Sequence, residues 1–345
     1  MRICIIGHFG GKKNFTDGQT VKTKEVYDFL VKNGMTVNAI DTFLLKRNPL
    51  GILSDIKRGV ANSDATILMV SSRGYKLIAK VLLKNGKHCH KKVFDFVIGG
   101  ARFKLFDKHP SLKETAKAFT KIYVETERMK KEYEKRGVMN VDIIPNFKSL
   151  KLYPPKNSYI KSKEFVGCIF SRIIKEKGIS DAIDAIRLVN DRHDGIEYKL
   201  DIYGRISKEY SKEFSALLEA NKQSVRYMGE VNSSDSSRII NKYDVLLFPT
   251  YWKGEGFPGT LLDSFFASTP VIASDWNDNF SILEAGKNSI MAEVRKPGSI
   301  ADAMSLLAND ERTLVEMSKN AHDAALKYMP DIAMKPFMDD LKENN

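Results

Sequence analysis

Residues 244–275 read DVLLFPTYWKGEGFPGTLLDSFFASTPVIASD, and this stretch decides the fold. A continuous apolar run, DVLLFPT, passes through a Gly-bearing loop into an apolar helical segment starting near Pro258, a favoured residue in a first helical turn. A second apolar run, PVIASD, follows. Apolar strands alternating with helices are the building unit of a parallel sheet covered on both faces. Gly256 and Gly259 leave the backbone bare, so a ligand can approach the amides at the helix start, where the dipole suits a phosphate. Asp263 lies about five residues, or ~7 Å, inside the helix. Glu255 can accept hydrogen bonds from hydroxyls on one side of a phosphate and Asp263 from hydroxyls on the other. A nucleotide sugar has that layout. The alternative makes Glu255 a loop surface charge and puts Asp263 on a solvent-facing stripe. Against it, Asp263 is flanked by Leu261, Leu262, Phe265 and Phe266, and an unpaired buried carboxylate is costly.

The same rhythm extends in both directions. Strand candidates in the first half are RICIIG, TVNAID, ATILMV, KVFDFVI, KIYVET and VDIIP. Helical patterns lie between them, and two of these, ending at Asn33-Gly34 and Asn85-Gly86, carry a stop signal. LKLYPPKNSYIKSKE breaks the rhythm and reads as a linker. FVGCIFS, YKLDIYG, VRYMG, DVLLFPT, PVIASD and SIMAEV then restart it. The expectation is an α/β chain of two doubly wound, Rossmann-like parallel-sheet domains facing each other across a cleft, 1–150 and 151–330. The last segment, 331–345, with its apolar stripe of Ile332, Met334, Phe337, Met338 and Leu341, is expected to join the first. Ligands bind beyond the carboxyl ends of strands in such sheets, so the informative residues should follow CIIG, CIFS, DIYG and LLFPT.

Length and composition agree. A chain of 345 residues suggests two domains. The hydrophobic fraction of 43% and charged fraction of 28% are those of a globular protein. No apolar run reaches the ~20 residues of a membrane span, and MRICIIG is too short for a signal peptide. Cys4, Cys89 and Cys168 are few and scattered, which excludes a disulfide framework or zinc site and points to a reduced cytoplasmic setting. The net charge of +12 is uneven: residues 1–150 hold 29 Lys and Arg against 14 Asp and Glu, and the remainder holds 26 against 29. Such a field suits anionic lipid, nucleic acid or a phosphorylated substrate, or a solvated Lys-rich surface with no partner. The dispersed cations and the absence of a recognised module argue against nucleic acid.

EGFPGTLLDSFFASTPVIASD resembles the signature segment of the retaining family 4 glycosyltransferases, which have the GT-B fold. Their segment starts with Glu-Gly-Phe, carries a second Glu eight positions later and runs into a TPVIA strand. FSRIIKEKGISDAIDAI resembles the family's Arg-x-x-x-x-Lys-Gly loop. LDIYG, VRYMGEV and KYDVLLFPT fall in the family's order, and GHFGGKKNFTDGQTVKT sits where the family has a Gly-rich loop. The likeness covers nearly all of residues 1–330, strongly in the second half and loosely in the first.

The resemblance implies that Glu255, Arg172 and Lys177 are catalytic, the two cations stabilising a departing nucleoside diphosphate. It implies donor binding by Asp263, Gly256, Phe257, Gly259, Thr260, Gly18 and Gly204. The leaving phosphate can take the acceptor's proton, so no separate base, cofactor or metal is required. Four departures stand out, one of them Ser171 where the family usually has Gly before Arg172. Asp263 replaces the family's second Glu. FDFVIGGARF, with Gly99-Gly100, lacks the His the family commonly places there, and His88, His90 and His109 lie elsewhere. WNDNF replaces a Gly-Gly turn after PVIASD. The expected function is transfer of a sugar, from UDP as the expected carrier, to a lipid-linked saccharide in bacterial surface polysaccharide synthesis. The basic first domain would meet an anionic membrane from the cytoplasm. A non-catalytic sugar-nucleotide-binding subunit and a sugar-nucleotide epimerase are the alternatives.

Overall fold

The computed structural model describes residues 1–11, 17–45, 47–88, 91–157, 163–192 and 195–342, the side chains of residues 86–88 excepted. Part of the Gly-rich loop (residues 12–16), Cys89, His90 and residues 158–162 of the linker lie outside the described residues.

The chain divides into two compact units. The first comprises Met1–Ser149, Gly254–Phe257 and the C-terminal segment from Pro330; the second comprises Leu150–Lys253 and Pro258–Met329. Strands of the first unit are β1 (Arg2–Gly7), β2 (Thr36–Asp41), β3 (Ala65–Met69), β4 (Lys92–Phe96), β5 (Lys121–Val124) and β6 (Val141–Ile143). They form one sheet in the order β2-β1-β3-β4-β5-β6, every neighbouring pair parallel. Both faces are covered, which explains the unbroken apolar strands. Ile52, Ile56, Tyr75, Ile78 and Leu82 pack on one face. Val26, Phe29, Leu30, Phe337 and Leu341 pack on the other.

The C-terminal helix Lys335–Lys342 is therefore part of the first core. Phe337 meets the rings of Phe94 and Phe96 edge-on at 5.1 and 5.2 Å. Of the apolar stripe, Met334, Phe337 and Leu341 are buried, whereas Ile332 is exposed.

Strands of the second unit are β7 (Glu164–Phe170), β8 (Glu197–Tyr203), β9 (Val225–Gly229), β10 (Val245–Phe248), β11 (Val271–Ser274) and β12 (Ser289–Ala292). Their order is β12-β11-β10-β7-β8-β9, again all parallel. The chain winds outward from β7 through β8 to β9, then returns to β10 and winds the opposite way. The crevice between β7 and β10 is thus the topological switch point of this sheet, and β1 and β3 flank that of the first.

Two local expectations are corrected. The helix Ser72–His88 continues past Asn85-Gly86, although the Asn85 amide donates back to the Val81 carbonyl at 2.8 Å, the kind of bond that Asn33 and Asn221 make where their helices end. Pro258 precedes the helix Gly259–Phe266 as its cap residue, with ψ of 120°, and does not occupy its first turn.

Candidate active site

In the second unit, Arg172 and Lys177 lie in the loop that leaves the carboxyl end of β7. That loop is held on two sides. Towards β8, the Ser171 amide donates to the Tyr203 carbonyl and the Ile173 amide to that of Arg205. Gly204 has φ of +132°, and a Cβ there would stand 1.7 Å from the Ser171 carbonyl oxygen. No other residue fits that position. Towards β10, the Glu176 carbonyl accepts the Tyr251 amide at 2.8 Å and the Thr250 hydroxyl at 3.3 Å. The exposed Arg172 guanidinium sits 5.6 Å from the Trp252 ring centroid, and Lys177 Nζ 5.5 Å from that of Phe248.

The helix Gly259–Phe266 is tied to the same edge. Thr260, in its first turn, donates its hydroxyl to the Phe170 carbonyl at the end of β7, at 2.9 Å. No side chain caps this helix's N-terminus; the Leu261 amide bonds to the Pro258 carbonyl at 3.1 Å, and the positive end of the dipole suits an anion. Asp263 is 6% exposed, which rules out the solvent-facing stripe. Trp276 Nε1 and Asn277 Nδ2 both donate to the Trp252 carbonyl, at 2.9 and 3.4 Å. The WNDNF segment thus holds the loop after β10, a role that its departure from Gly-Gly did not reveal.

In the first unit the Gly254–Phe257 segment has its own setting. Glu255 is 9% exposed, so it is not a loop surface charge. Gly100 lies against its backbone: a Cβ on Gly100 would be 2.4 Å from the Glu255 carbonyl oxygen. Any side chain there, His included, would have to displace this segment. Gly256 in turn faces Gly100 and the Glu125 carboxylate. Glu125 Oε2 accepts the Phe257 amide at 3.4 Å, and Asn146 Nδ2 donates to the Phe257 carbonyl at 3.2 Å. Phe257 itself is buried. Glu125 Oε1 is paired with Lys22 Nζ at 2.6 Å, and both side chains are buried. Neither residue was singled out from the sequence, because a pair joining the first helix to the end of β5 has no local signature.

Gly18 opens the helix Gly18–Lys32, with open space where a Cβ would lie. The cap of that helix is Asp17, whose carboxylate accepts the Gln19 and Thr20 amides at 3.1 Å each. This N-terminus therefore already carries an anion, in contrast to that of Gly259–Phe266. The Asp17 carboxylate also accepts the Thr20 hydroxyl, which meets His8 Nδ1 at 2.8 Å just beyond β1.

The structure thus gathers Arg172, Lys177, Gly204, Gly259, Thr260 and Asp263 in one unit, the first five around the carboxyl ends of β7 and its neighbours. It assigns Gly18, Glu255, Gly256 and Phe257 to the other unit. Among the described residues no three His, Cys, Asp or Glu side chains form a metal-holding group.

Residues 155–324, which contain this strand-end cluster, match the family model described as glycosyl transferases group 1. By this match residues 155–324, just under half of the chain, form a glycosyl transferases group 1 segment. Among the curated relatives is N,N'-diacetylbacillosaminyl-diphospho-undecaprenol alpha-1,3-N-acetylgalactosaminyltransferase of Campylobacter jejuni. It is 22% identical over 183 residues, 53% of this chain and 46% of the relative. Phosphatidyl-myo-inositol mannosyltransferase of Mycobacterium leprae is 29% identical over 135 residues, 39% of this chain and 34% of the relative. The chain spans less than half the length of these curated relatives. The fold is that of Anabaena Alr3699/HepE, solved in complex with UDP, at a TM-score of 0.76 and 13% identity, covering 99% of each chain. Sucrose-phosphate synthase of Thermosynechococcus elongatus gives 0.74 at 13% identity, covering 98% of this chain and 97% of that one. The chain thus has the GT-B fold, with its two six-stranded parallel sheets.

Proposed function

We propose that the chain is a retaining, metal-independent glycosyltransferase of family 4. It moves a sugar from a nucleoside diphosphate, UDP being the expected carrier, to a hydroxyl of a lipid-linked saccharide in bacterial surface polysaccharide synthesis. One observation carries this reading. Arg172, Lys177 and an uncapped helix N-terminus converge at the switch point of the second sheet, where open α/β sheets bind their ligands. Two cations and a row of amides suit a diphosphate better than a neutral ligand.

The steps follow from charge. As the donor's anomeric C–O bond breaks, negative charge grows on the leaving diphosphate, and Arg172 and Lys177 stabilise it. The acceptor oxygen bonds to the anomeric carbon from the face the phosphate is leaving. Its proton passes to a phosphate oxygen, which balances the exchange without a further base. Glu255 orients sugar hydroxyls, and Asp263 serves the ribose. Gly18, Gly204, Gly256, Phe257, Gly259 and Thr260 shape the donor's surroundings. The lipid-linked acceptor is supported by the names of the two curated relatives, which specify a diphospho-undecaprenol and a phosphatidyl-inositol substrate. UDP is supported by the complexes of Alr3699/HepE with UDP and with UDP-glucose. No described helix is long and apolar enough to cross a membrane. Contact with the cytoplasmic membrane face through the basic first unit belongs to the same proposal.

The test is nucleoside diphosphate release from a panel of UDP- and GDP-sugars, with and without a bacterial lipid extract and with excess chelator. Release that needs the lipid fraction, survives the chelator and leaves the anomeric configuration unchanged is expected. Donor binding without release under every acceptor condition would replace this reading with that of a non-catalytic sugar-nucleotide-binding subunit.

A further inference from the structure

Two helices of the first unit, Pro49–Ala61 and Ser72–His88, lie side by side on one face of its sheet. Ile52 and Ile56 of one and Tyr75, Ile78 and Leu82 of the other enter the same core. The outward faces are therefore turned the same way, and both break the usual rule for a solvated helix. Leu50 protrudes at 80% exposure from the first helix and Leu77 at 64% from the second. The same two helices carry exposed cations, among them Lys57, Arg73, Lys76 and Lys80.

The charge in this region has one sign. Residues 44–94 contain eleven Lys and Arg and only two acids, Asp55 and Asp64. Asp55 is paired with Arg58 and Asp64 accepts the Arg2 amide, so both acids are already engaged. A single exposed leucine is ordinary. Two on adjacent helices, set in a field of cations, fit a boundary where apolar side chains enter a hydrocarbon layer while ammonium and guanidinium groups reach phosphates. Nucleic acid would use the cations and leave the leucines in water.

We propose that this two-helix face docks on an anionic phospholipid bilayer, with Leu50 and Leu77 inserted and the surrounding Lys and Arg at the lipid phosphates. The proposal deepens the membrane-acceptor reading, on which its use in the cell rests. Its test contains neither donor nor acceptor, so the two can fail separately.

The full chain is sedimented with vesicles of phosphatidylcholine alone and of phosphatidylcholine with about one third phosphatidylglycerol. Binding only to the anionic vesicles is expected, with loss at high salt as the screening length shortens. The triple variant Arg73→Glu, Lys76→Glu, Lys80→Glu should bind at least about tenfold more weakly, each cation near the surface contributing. The pair Leu50→Ser, Leu77→Ser should weaken binding severalfold and leave the melting temperature unchanged. The control variant Lys32→Glu, Lys335→Glu, Lys342→Glu changes three exposed cations of the same unit away from these helices, and should keep most of the binding. Equal loss in the control would overturn the proposal in favour of a diffuse charge effect. Wild-type binding in the leucine pair would overturn the insertion. Retention of a duplex oligonucleotide through the same cations, with no vesicle binding, would make the face a nucleic-acid surface instead.

Discussion

Lys22 and Glu125, 103 positions apart, form an ion pair of 2.6 Å in which both side chains are buried. The Glu125 carboxylate also receives the Phe257 amide, so the pair fastens the segment that carries Glu255. Removing one partner strands a charge away from water. Glu125→Leu should therefore destabilise the chain by about 3–5 kcal/mol, while the pair Lys22→Met, Glu125→Leu should lose far less than the two single changes together. Urea unfolding of the four proteins checks this. Strictly additive losses would mean that the two side chains act independently.

A Cβ on Gly204 would collide with the Ser171 carbonyl, whereas one on Gly18 would meet nothing. Both were singled out from the sequence as donor-site glycines, yet their substitutions should behave oppositely. Gly204→Ala adds a left-handed strain to a clash with backbone and should cost about 3 kcal/mol or more. Gly18→Ala should be neutral or stabilise slightly, because alanine narrows the unfolded ensemble at no cost in contacts. Thermal unfolding distinguishes them. An unchanged melting temperature in Gly204→Ala would contradict the close approach of these loops.

The architecture was legible because strands buried on both faces read as unbroken apolar runs, and the rule for open sheets located the strand-end loops. The signature around Glu255 and Asp263 was legible because its chemistry is local. What was not legible depends on contacts between distant segments. Glu125 looks like one of several charges in VETERMK until the fold brings Lys22 to it. Gly99-Gly100 reads as a missing His until the Glu255 backbone is seen against Gly100. Asn85-Gly86 has the composition of a helix stop, but the helix runs on to His88, its preceding turn anchored in the core by Ile78 and Leu82. Propensity is a weak prior and tertiary context overrides it.

Lys156 gives a prediction in pH. Its ammonium donates to the Tyr243 carbonyl at 2.6 Å, and burial holds its pKa below the usual lysine value, with Asp244 and Cys168 opposing that shift. Between the lowered folded value and the ordinary unfolded one near 10.4, the unfolded chain binds more protons, so this residue makes stability rise with pH. The penalty is complete below the folded pKa and gone above the unfolded one. Lys156→Met should remove this contribution. Urea unfolding at a series of pH values from 7 to 10 is expected to show a smaller rise, or a steeper fall, in the variant. Parallel wild-type and variant curves would contradict it.

Arg172 and Lys177 should act mainly on the chemical step. In the proposed mechanism each meets charge that grows as the diphosphate leaves, so Arg172→Ala and Lys177→Ala are expected to lower kcat by about 10²–10³-fold. Arg172 is exposed, and its loss should leave the melting temperature within about 1 °C, a surface change being worth at most ~0.5 kcal/mol. Steady-state rates with the donor found in the nucleoside diphosphate screen provide the measurement. A rise in KM alone, with kcat unchanged, would show that these cations bind ground state and transition state equally.

Asp263 and Glu255 should separate binding from turnover. Asp263 is buried in the helix whose uncapped N-terminus is proposed to hold the diphosphate, and the same proposal gives its carboxylate to the ribose. Its side chain is one methylene shorter than the family's Glu, so its reach is about 1.3 Å less, and one water can close that gap. A hydrogen bond to a charged group contributes about 1.5–3 kcal/mol. Asp263→Ala should therefore weaken nucleoside diphosphate binding by about 10–100-fold and change kcat little. Glu255 is proposed to orient the sugar hydroxyls, so Glu255→Ala should lower kcat and leave affinity for the free nucleoside diphosphate nearly unchanged. Calorimetric titration with UDP and steady-state rates with the sugar donor measure the two effects, with melting temperatures to exclude unfolding. Unchanged UDP affinity in a folded Asp263→Ala would remove the ribose role and leave Asp263 as a structural carboxylate of its helix.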